Sequence, residues 1–449
     1  MVRKFPTGLQ HQGRVNHVID LYVGDDYDLL SLLTLRKYPP TMNPLQQLKT
    51  LSSRQRSVVI ACFLGWTLDA FDFFILVFVI KDIAKEFGTD VKAVTFTLFL
   101  TLAMRPLGAF LFGVFADRYG RRPTLMANIL FYSVIEFASG FAPSLTVLIG
   151  LRALFGIAMG GEWGVGASLT MESIPPETRG LVSGLLQSGY PCGYFLATIL
   201  YWVLYPFIGW RGMFMVGVLP ALVVVYIRSK VDESPAWLED EHKGKQMFTT
   251  IVQRWPLFVY MIVLMTAFNF FSHGTQDLYP TFLQLQRKFP QPTVAAIAII
   301  YNIGAILGGL SFGTISERIG RRRAICVAAL LALPIIPLWA FSSSPIWLAV
   351  GAFLMQFLVQ GAWGVIPVHL NELSPPDVRG TFPGFTYQLG NLFAAANATI
   401  QAELAERWGG NYAQALAVVI AIVAIAVFSI TVFGPEAKGV LFSRRAVTT

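Results

Sequence analysis

Apolar residues in this chain form long runs that are separated by short polar loops. Twelve runs approach the roughly 20 residues that a helix needs to cross a bilayer. They lie approximately at 56–81, 92–115, 124–142, 144–171, 180–205, 211–229, 255–285, 292–316, 324–343, 345–370, 380–404 and 412–433. Only 13% of the residues are charged, about half the share in a soluble domain. The pattern predicts an all-α, polytopic membrane protein with twelve transmembrane helices.

The two halves of the sequence resemble each other at an offset of 200 residues. The matching blocks are 113–122 with 313–322, 161–164 with 361–364, and 172–180 with 372–380. Three blocks at one offset indicate an internal duplication. We expect two six-helix bundles in the same orientation, a parallel repeat about an axis along the membrane normal.

The polar segments divide the chain. We predict an N-terminal tail at 1–41, an N-terminal bundle at 42–229, a cytoplasmic linker at 230–254, a C-terminal bundle at 255–434 and a cytoplasmic tail at 435–449. Residues 1–41 have two interpretations. They form a disordered tail, or they are an over-extended start and Met42 opens the chain.

The positive charges are distributed unevenly along the chain. The whole chain has 34 Lys and Arg residues. With both termini placed in the cytoplasm, 20 of those from residue 42 onward fall on the cytoplasmic side. Seven fall outside, five precede Met42 and two lie within helices. The positive-inside rule supports this orientation in a cell membrane. Because these charges sit in short loops beside lipid, they argue against nucleic acid as a partner.

A polar stripe interrupts the seventh apolar run. On one helix, Asn269, His273, Gln276 and Pro280 would share a face at steps of four, three and four residues. The residues that flank this face are Ser272, Thr275 and Asp277. Polar and titratable groups are costly in lipid and face a partner or a cavity. The stripe therefore predicts a path for a polar solute and a proton.

Arg105 lies deep in the second run. It is twelve residues before Asp117, which places it about 18 Å from the cytoplasmic edge. A guanidinium is always charged and binds a carboxylate through two parallel hydrogen bonds. Arg105 therefore holds either a substrate carboxylate or an internal partner, for which Asp69, Asp72 and Glu162 are the candidates.

Two groups of residues are candidates for carrying a proton. The imidazole of His273 titrates near neutrality, and Asp277 is one helical turn away. Asp69 and Glu162 are the alternatives, since burial favours the protonated form of a carboxyl group.

The loops 113–122 and 313–322 resemble the signature of the major facilitator superfamily, and Arg152 begins a stretch similar to a second family motif. The resemblance implies a rocker-switch transporter with its solute site between the halves. The family's conformational positions correspond here to Asp117, Arg118, Arg121, Arg152, Arg179, Glu317, Arg318, Arg321 and Arg379. We expect loop arginines to pair with Glu172 and Glu372 as latches; the alternative is that these charges only fix topology.

Residues 269–281 resemble the motif of the fungal Jen lactate permeases, in the sialate:proton symporter group. This implies proton-coupled uptake of lactate, pyruvate or a similar monocarboxylate. The family's functional positions fall on Asn269, Ser272, His273, Thr275, Gln276, Asp277 and Thr281, with Arg105, Gln388 and Asn391 similar to substrate-site positions.

We therefore expect a monomeric proton symporter of a small organic anion, with no cofactor besides the transported proton and no enzymatic activity. The alternatives are a symporter of a larger acid, such as sialic or aromatic acid, a uniporter of a neutral solute, and a nutrient sensor built on the transporter fold.

Overall fold

The computed structural model describes residues 44–240 and 243–443. Its α-helices, numbered in chain order, are α1 Pro44–Thr50, α2 Ser53–Glu86, α3 Val91–Tyr119, α4 Arg121–Ser139, α5 Leu145–Ser173, α6 Arg179–Gln187, α7 Gly189–Val216, α8 Ala221–Lys230, α9 Pro235–Glu239, α10 Met247–Gln253, α11 Trp255–Gln276, α12 Tyr279–Leu285, α13 Gln291–Ile319, α14 Arg321–Ile336, α15 Pro345–Leu373, α16 Phe382–Ala394, α17 Asn397–Arg407 and α18 Tyr412–Val432. The prediction for residues 1–41 lies outside the described residues.

The twelve predicted runs are all helical. Nine helical segments of the described chain are individually long and apolar enough to cross a membrane. The other three runs correspond to α4, to the segment from the end of α7 through α8, and to α16 with α17. The second and third of these runs are interrupted, so each consists of two helical segments that are too short to span a membrane alone. The architecture is the expected one of twelve spans in two halves, here called the N half (α2–α8) and the C half (α11–α18).

One interruption falls at a predicted boundary between two runs, and another falls inside a predicted run. The backbone of Gly209 has φ +59°, and this kink divides α7 between the fifth and sixth spans. The seventh span breaks after α11, and α12 begins at Tyr279 with Pro280 in its first turn. Proline suits that position because it has no N–H to leave unpaired. The prediction that Pro280 continues the face of Asn269 and His273 is therefore wrong.

Glycines bring equivalent helices together in the two halves. The tightest pairings are α3 with α5 and α13 with α15. A Cβ atom on Gly156 or Gly160 would overlap the backbone of Thr101 or Arg105. Small residues allow membrane helices this close approach. The backbone that carries Arg105 is thus held rigidly against α5.

The two halves meet most closely at the end that carries residues 113–122 and 313–322, called here the motif end. Asp117 Oδ1 accepts a hydrogen bond from Gly380 N (2.7 Å), and Thr381 Oγ1 donates to Asp117 Oδ2 (2.6 Å). In the equivalent contact, Gly180 N donates to Glu317 Oε1 (2.6 Å). Each carboxylate lies at the N-terminus of a helix of the opposite half, where the helix dipole favours negative charge.

Two buried glutamates at the motif end each hold one arginine of their own half and one of the other half. The ion pairs are Arg121–Glu172 (3.1 Å), Arg379–Glu172 (3.4 Å), Arg321–Glu372 (2.9 Å) and Arg179–Glu372 (3.8 Å). The predicted pairing of loop arginines with Glu172 and Glu372 is confirmed. Arg118 and Arg318 are exposed at the same end. The motif end is closed in this conformation.

Arg152 belongs to the interior of the N half rather than to this network. Its guanidinium forms an ion pair with Glu136 on α4, and Nη2 also donates to Ser139 Oγ (2.8 Å). The ring of Phe155 lies 4.4 Å from its guanidinium carbon. Arg152 therefore braces α5 against α4.

We expect Arg152→Met to lower the free energy of unfolding by about 3–5 kcal/mol, since it leaves the Glu136 carboxylate buried without its partner. Thermal unfolding of the purified protein in detergent measures this effect. Arg407→Met is the control, because the Arg407–Glu403 pair is 70% and 57% exposed and such pairs contribute about 0–1 kcal/mol. Equal destabilisation by both variants would contradict the bracing role.

Candidate functional site

A cavity of about 350 Å³ lies between the halves. At its deep part Asn269 is 2% exposed. Further along α11, away from the motif end, the side chains of His273 and Asp277 are 39% and 38% exposed. The cavity therefore opens at the end opposite the motif end, and the closed motif end blocks the other exit.

The two halves contribute walls of different chemistry. The N half supplies the aromatic rings of Trp66, Phe73, Phe74, Tyr190 and Tyr194, and the C half adds those of Tyr301, Trp363 and Tyr387. The C half supplies most of the polar groups, namely Asn269, Ser272, His273, Gln276, Asp277, Asn302, Gln360 and Asn391. Among the described residues that line the cavity, Arg105 is the sole Lys or Arg. These surroundings suit a solute with both polar and apolar groups.

In several pairs of residues 200 apart, both members line the cavity. The pairs that line it are Arg105 with Ala305, Phe73 with His273, Leu102 with Asn302, Gln187 with Tyr387 and Pro191 with Asn391. The repeat therefore reaches into the site, but each position carries different chemistry in the two halves.

Arg105 is 3% exposed, and its guanidinium is incompletely hydrogen-bonded. Its Nε and Nη2 have no hydrogen-bond partner among the described residues. Its carbon lies 5.9 Å from the centroid of the Tyr387 ring. The described carboxylates form no ion pair with it, so the proposed internal salt bridge to Asp69, Asp72 or Glu162 is absent from this conformation. A buried charge with unused donors is suited to binding an anion.

An aromatic layer closes the cavity on the motif-end side. The ring of Tyr387 packs 4.8 Å from Trp163 of the N half and 5.5 Å from Trp363 of the C half. The two tryptophans occupy equivalent positions of the repeat. This layer joins the halves directly beneath Arg105.

Both ring nitrogens of His273 face oxygen atoms. Nδ1 is 3.2 Å from Asp277 Oδ1, and Nε2 is 3.0 Å from Asn391 Oδ1. An imidazolium donates from both nitrogens, whereas neutral imidazole donates from one. The predicted pair of His273 and Asp277 is brought together, and Asn391 of α16 completes it.

A layer of glutamines from α15 supports the polar wall. Gln356 Nε2 donates to Thr275 Oγ1 (2.9 Å), and Gln276 Nε2 donates to Gln356 Oε1 (3.0 Å). Gln360 Nε2 donates to Ser272 Oγ (2.9 Å). Sequence reasoning missed both glutamines, although their spacing of four residues in an apolar helix places them on one face.

Several predicted site residues lie away from the cavity. Asp69, Glu162 and Gln388 do not line it, and their side-chain polar atoms have no hydrogen-bond partner among the described residues. Glu162 lines a small separate void, and Trp66 lines both that void and the main cavity. Thr281 is on α12, beyond the break. Gln276 and Asn391 line the cavity as predicted, and so does Asn269, whose Nδ2 already donates to Met265 O (2.7 Å).

The family follows from a direct comparison. A model described as "Major Facilitator Superfamily" matches residues 62–398 and 278–446. The chain belongs to the major facilitator superfamily. It is a secondary transporter, not an enzyme.

Two curated relatives of this transporter carry organic acids in their names. The "Sialic acid transporter NanX" of Escherichia coli (strain K12) is 30% identical over 403 residues, covering 88% of this chain and 97% of that protein. The "Carboxylic acid transporter protein homolog" of Saccharomyces cerevisiae is 29% identical over 407 residues. That match covers 84% of this chain but 66% of the yeast protein.

Solved structures agree on the fold. The proton:xylose symporter XylE has a TM-score of 0.70 at 17% identity, covering 88% of this chain and 99% of that one. The human organic anion transporter MFSD10 has a TM-score of 0.69 at 18% identity, covering 85% and 100%. At these identities the likeness concerns the fold alone.

The cavity wall can be mapped with cysteines after Cys62, Cys192 and Cys326 are replaced. We expect a water-soluble methanethiosulfonate reagent to modify Ser272→Cys, because Ser272 lines the cavity. Thr275→Cys is the matched control on the same helix, with Thr275 only 1% exposed. Mass spectrometry measures the two modification rates. Equal rates in Ser272→Cys and Thr275→Cys would show that Ser272 does not line a water-accessible cavity.

Proposed function

We propose that this transporter imports a small monocarboxylate, such as lactate or pyruvate, together with a proton. The observation that supports the proposal is the guanidinium of Arg105, which lines the cavity and has two buried donors without a hydrogen-bond partner among the described residues. Bidentate pairing with a carboxylate would satisfy those donors. Asn269, Gln276 and Asn391, which line the same cavity, are placed to bind the remaining oxygens of the solute. Gln388 can join them only if α16 moves, because its amide is buried beside the cavity.

The proton would bind at His273. Its two nitrogens already face Asp277 and Asn391, so the doubly protonated ring has an acceptor on each side. A monocarboxylate and one proton carry no net charge, and a pH gradient then drives uptake. Asp69 and Glu162 remain the candidates for passing the proton onward; both are buried in the N half.

The positive charges support an orientation of the protein in the membrane. Of the described Lys and Arg residues, eighteen fall on the motif-end side and seven on the opposite side. By the positive-inside rule the motif end would be cytoplasmic. The cavity then faces the outside, as a transporter ready to load its solute requires.

A larger organic acid is the second candidate, and the site gives a specific reason. The cavity has a volume of about 350 Å³ and a wall of aromatic rings, including Trp66, Phe74 and Tyr190. Lactate would fill a small part of it. Named relatives include the sialic acid transporter NanX and a niacin transporter of Acinetobacter baylyi.

Uptake of radiolabelled lactate into proteoliposomes with an inward proton gradient tests the proposal. We expect accumulation above equilibrium by the wild type and its loss in His273→Ala, because the alanine cannot carry the proton. We expect His273→Ala still to bind lactate although it does not accumulate it. Lack of lactate uptake with uptake of benzoate or sialic acid would favour the larger substrate. Accumulation that the variant retains would remove His273 from the coupling step.

The role of Arg105 is tested by two substitutions. Arg105→Gln should raise the KM for the transported acid about 10- to 100-fold, since a hydrogen bond to a charged group contributes about 1.5–3 kcal/mol. Arg105→Lys keeps the positive charge but cannot form the bidentate pair of hydrogen bonds with a carboxylate, so we expect an intermediate KM. Wild-type kinetics in Arg105→Gln would refute carboxylate binding here and point to a neutral solute.

A further inference from the structure

The segment that follows α18, residues 434–443, crosses the motif end and contacts both halves. The ring of Phe442 contacts two guanidinium groups, with the carbon of Arg179 at 3.8 Å and that of Arg379 at 4.1 Å from its centroid. These arginines are 200 residues apart, at equivalent positions of the repeat. One aromatic side chain is therefore held by one arginine from each half.

The backbone and the end of the segment add further contacts. Arg179 Nη1 donates to Val440 O (2.6 Å), and Gly439 N donates to Glu372 Oε1 (3.3 Å). Ser443 Oγ donates to Glu239 Oε1 on linker helix α9 (2.8 Å). The segment thus binds the N half, the C half and the linker at once.

Electrostatics explains why an aromatic residue suits this position. Each face of a phenyl ring carries partial negative charge, which attracts a cation, most strongly where water is excluded. Arg179 and Arg379 are 1% and 4% exposed. A ring in contact with both guanidinium groups attracts each of them and so offsets part of the repulsion between two like charges. When the halves part at the motif end, Phe442 can remain against only one of the two arginines.

We propose that Arg179 and Arg379 form an inter-half binding site for an aromatic side chain, and that Phe442 of the chain's own C-terminal segment occupies it to hold the motif end closed. The site is distinct from the solute cavity. The proposal depends on the two halves separating at the motif end during transport, and not on the identity of the solute.

A cysteine between the halves reports on closure. Ser183 is fully buried on α6, and its Oγ accepts a hydrogen bond from Val368 N of the other half (3.1 Å). Ser183→Cys in the full chain without its native cysteines should react slowly with a water-soluble maleimide while the motif end is closed. No solute is needed for this measurement, so it is independent of the proposed function.

We expect Phe442→Ala to raise the labelling rate about tenfold, the change that corresponds to loss of a desolvated cation–π contact. Phe442→Trp keeps a ring and should label as slowly as the wild type. Leu441→Ala is the matched control, because Leu441 is the neighbouring residue and is 63% exposed. Thermal unfolding confirms that each variant is folded. Equal rates in Phe442→Ala and Leu441→Ala, or rapid labelling of Phe442→Trp, would overturn the proposal.

Discussion

A charge within the membrane needs a partner or water, and this constraint organises the structure. Arg152 satisfies it with Glu136, and Arg121 and Arg321 satisfy it with Glu172 and Glu372. Arg105 is also buried, but two of its donors have no partner among the described residues and the residue lines the cavity. Paired arginines stabilise the fold, while Arg105, which has no ion pair with the described carboxylates, marks the place where a solute can bind.

The internal repeat is better preserved at the motif end than in the cavity. At the motif end the two halves still carry nearly the same contacts, since Asp117 and Glu317 each bind a helix N-terminus of the opposite half. In the cavity, equivalent positions have diverged, and His273 of the C half corresponds to Phe73 of the N half. A symmetric closure suits a device that opens and shuts, whereas recognition of an asymmetric solute needs walls of different chemistry.

The sequence predicted the twelve spans, the repeat and the pairing of loop arginines, because apolar length and repeated motifs are local signals. It also predicted that His273 and Asp277 lie together, since they are one helical turn apart. It missed the contacts of α15 with α11, such as Gln356 with Thr275, because these depend on how distant helices pack. The break at Asp277 had a local signal in Pro280, but the regular spacing of the polar residues obscured it. The burial of Asp69, Glu162 and Gln388 away from the cavity depends on helix rotation, which sequence spacing does not determine.

The unpaired charge of Arg105 also has an electrical consequence. The guanidinium is a positive charge near the middle of the protein, so reorientation of the site moves it through part of the transmembrane field. A full crossing corresponds to about 2.3 kcal/mol per 100 mV. An anion and a proton bound together would leave the charge of the site unchanged, so the loaded and the empty site would respond to voltage alike. A complete cycle would then move no net charge across the membrane.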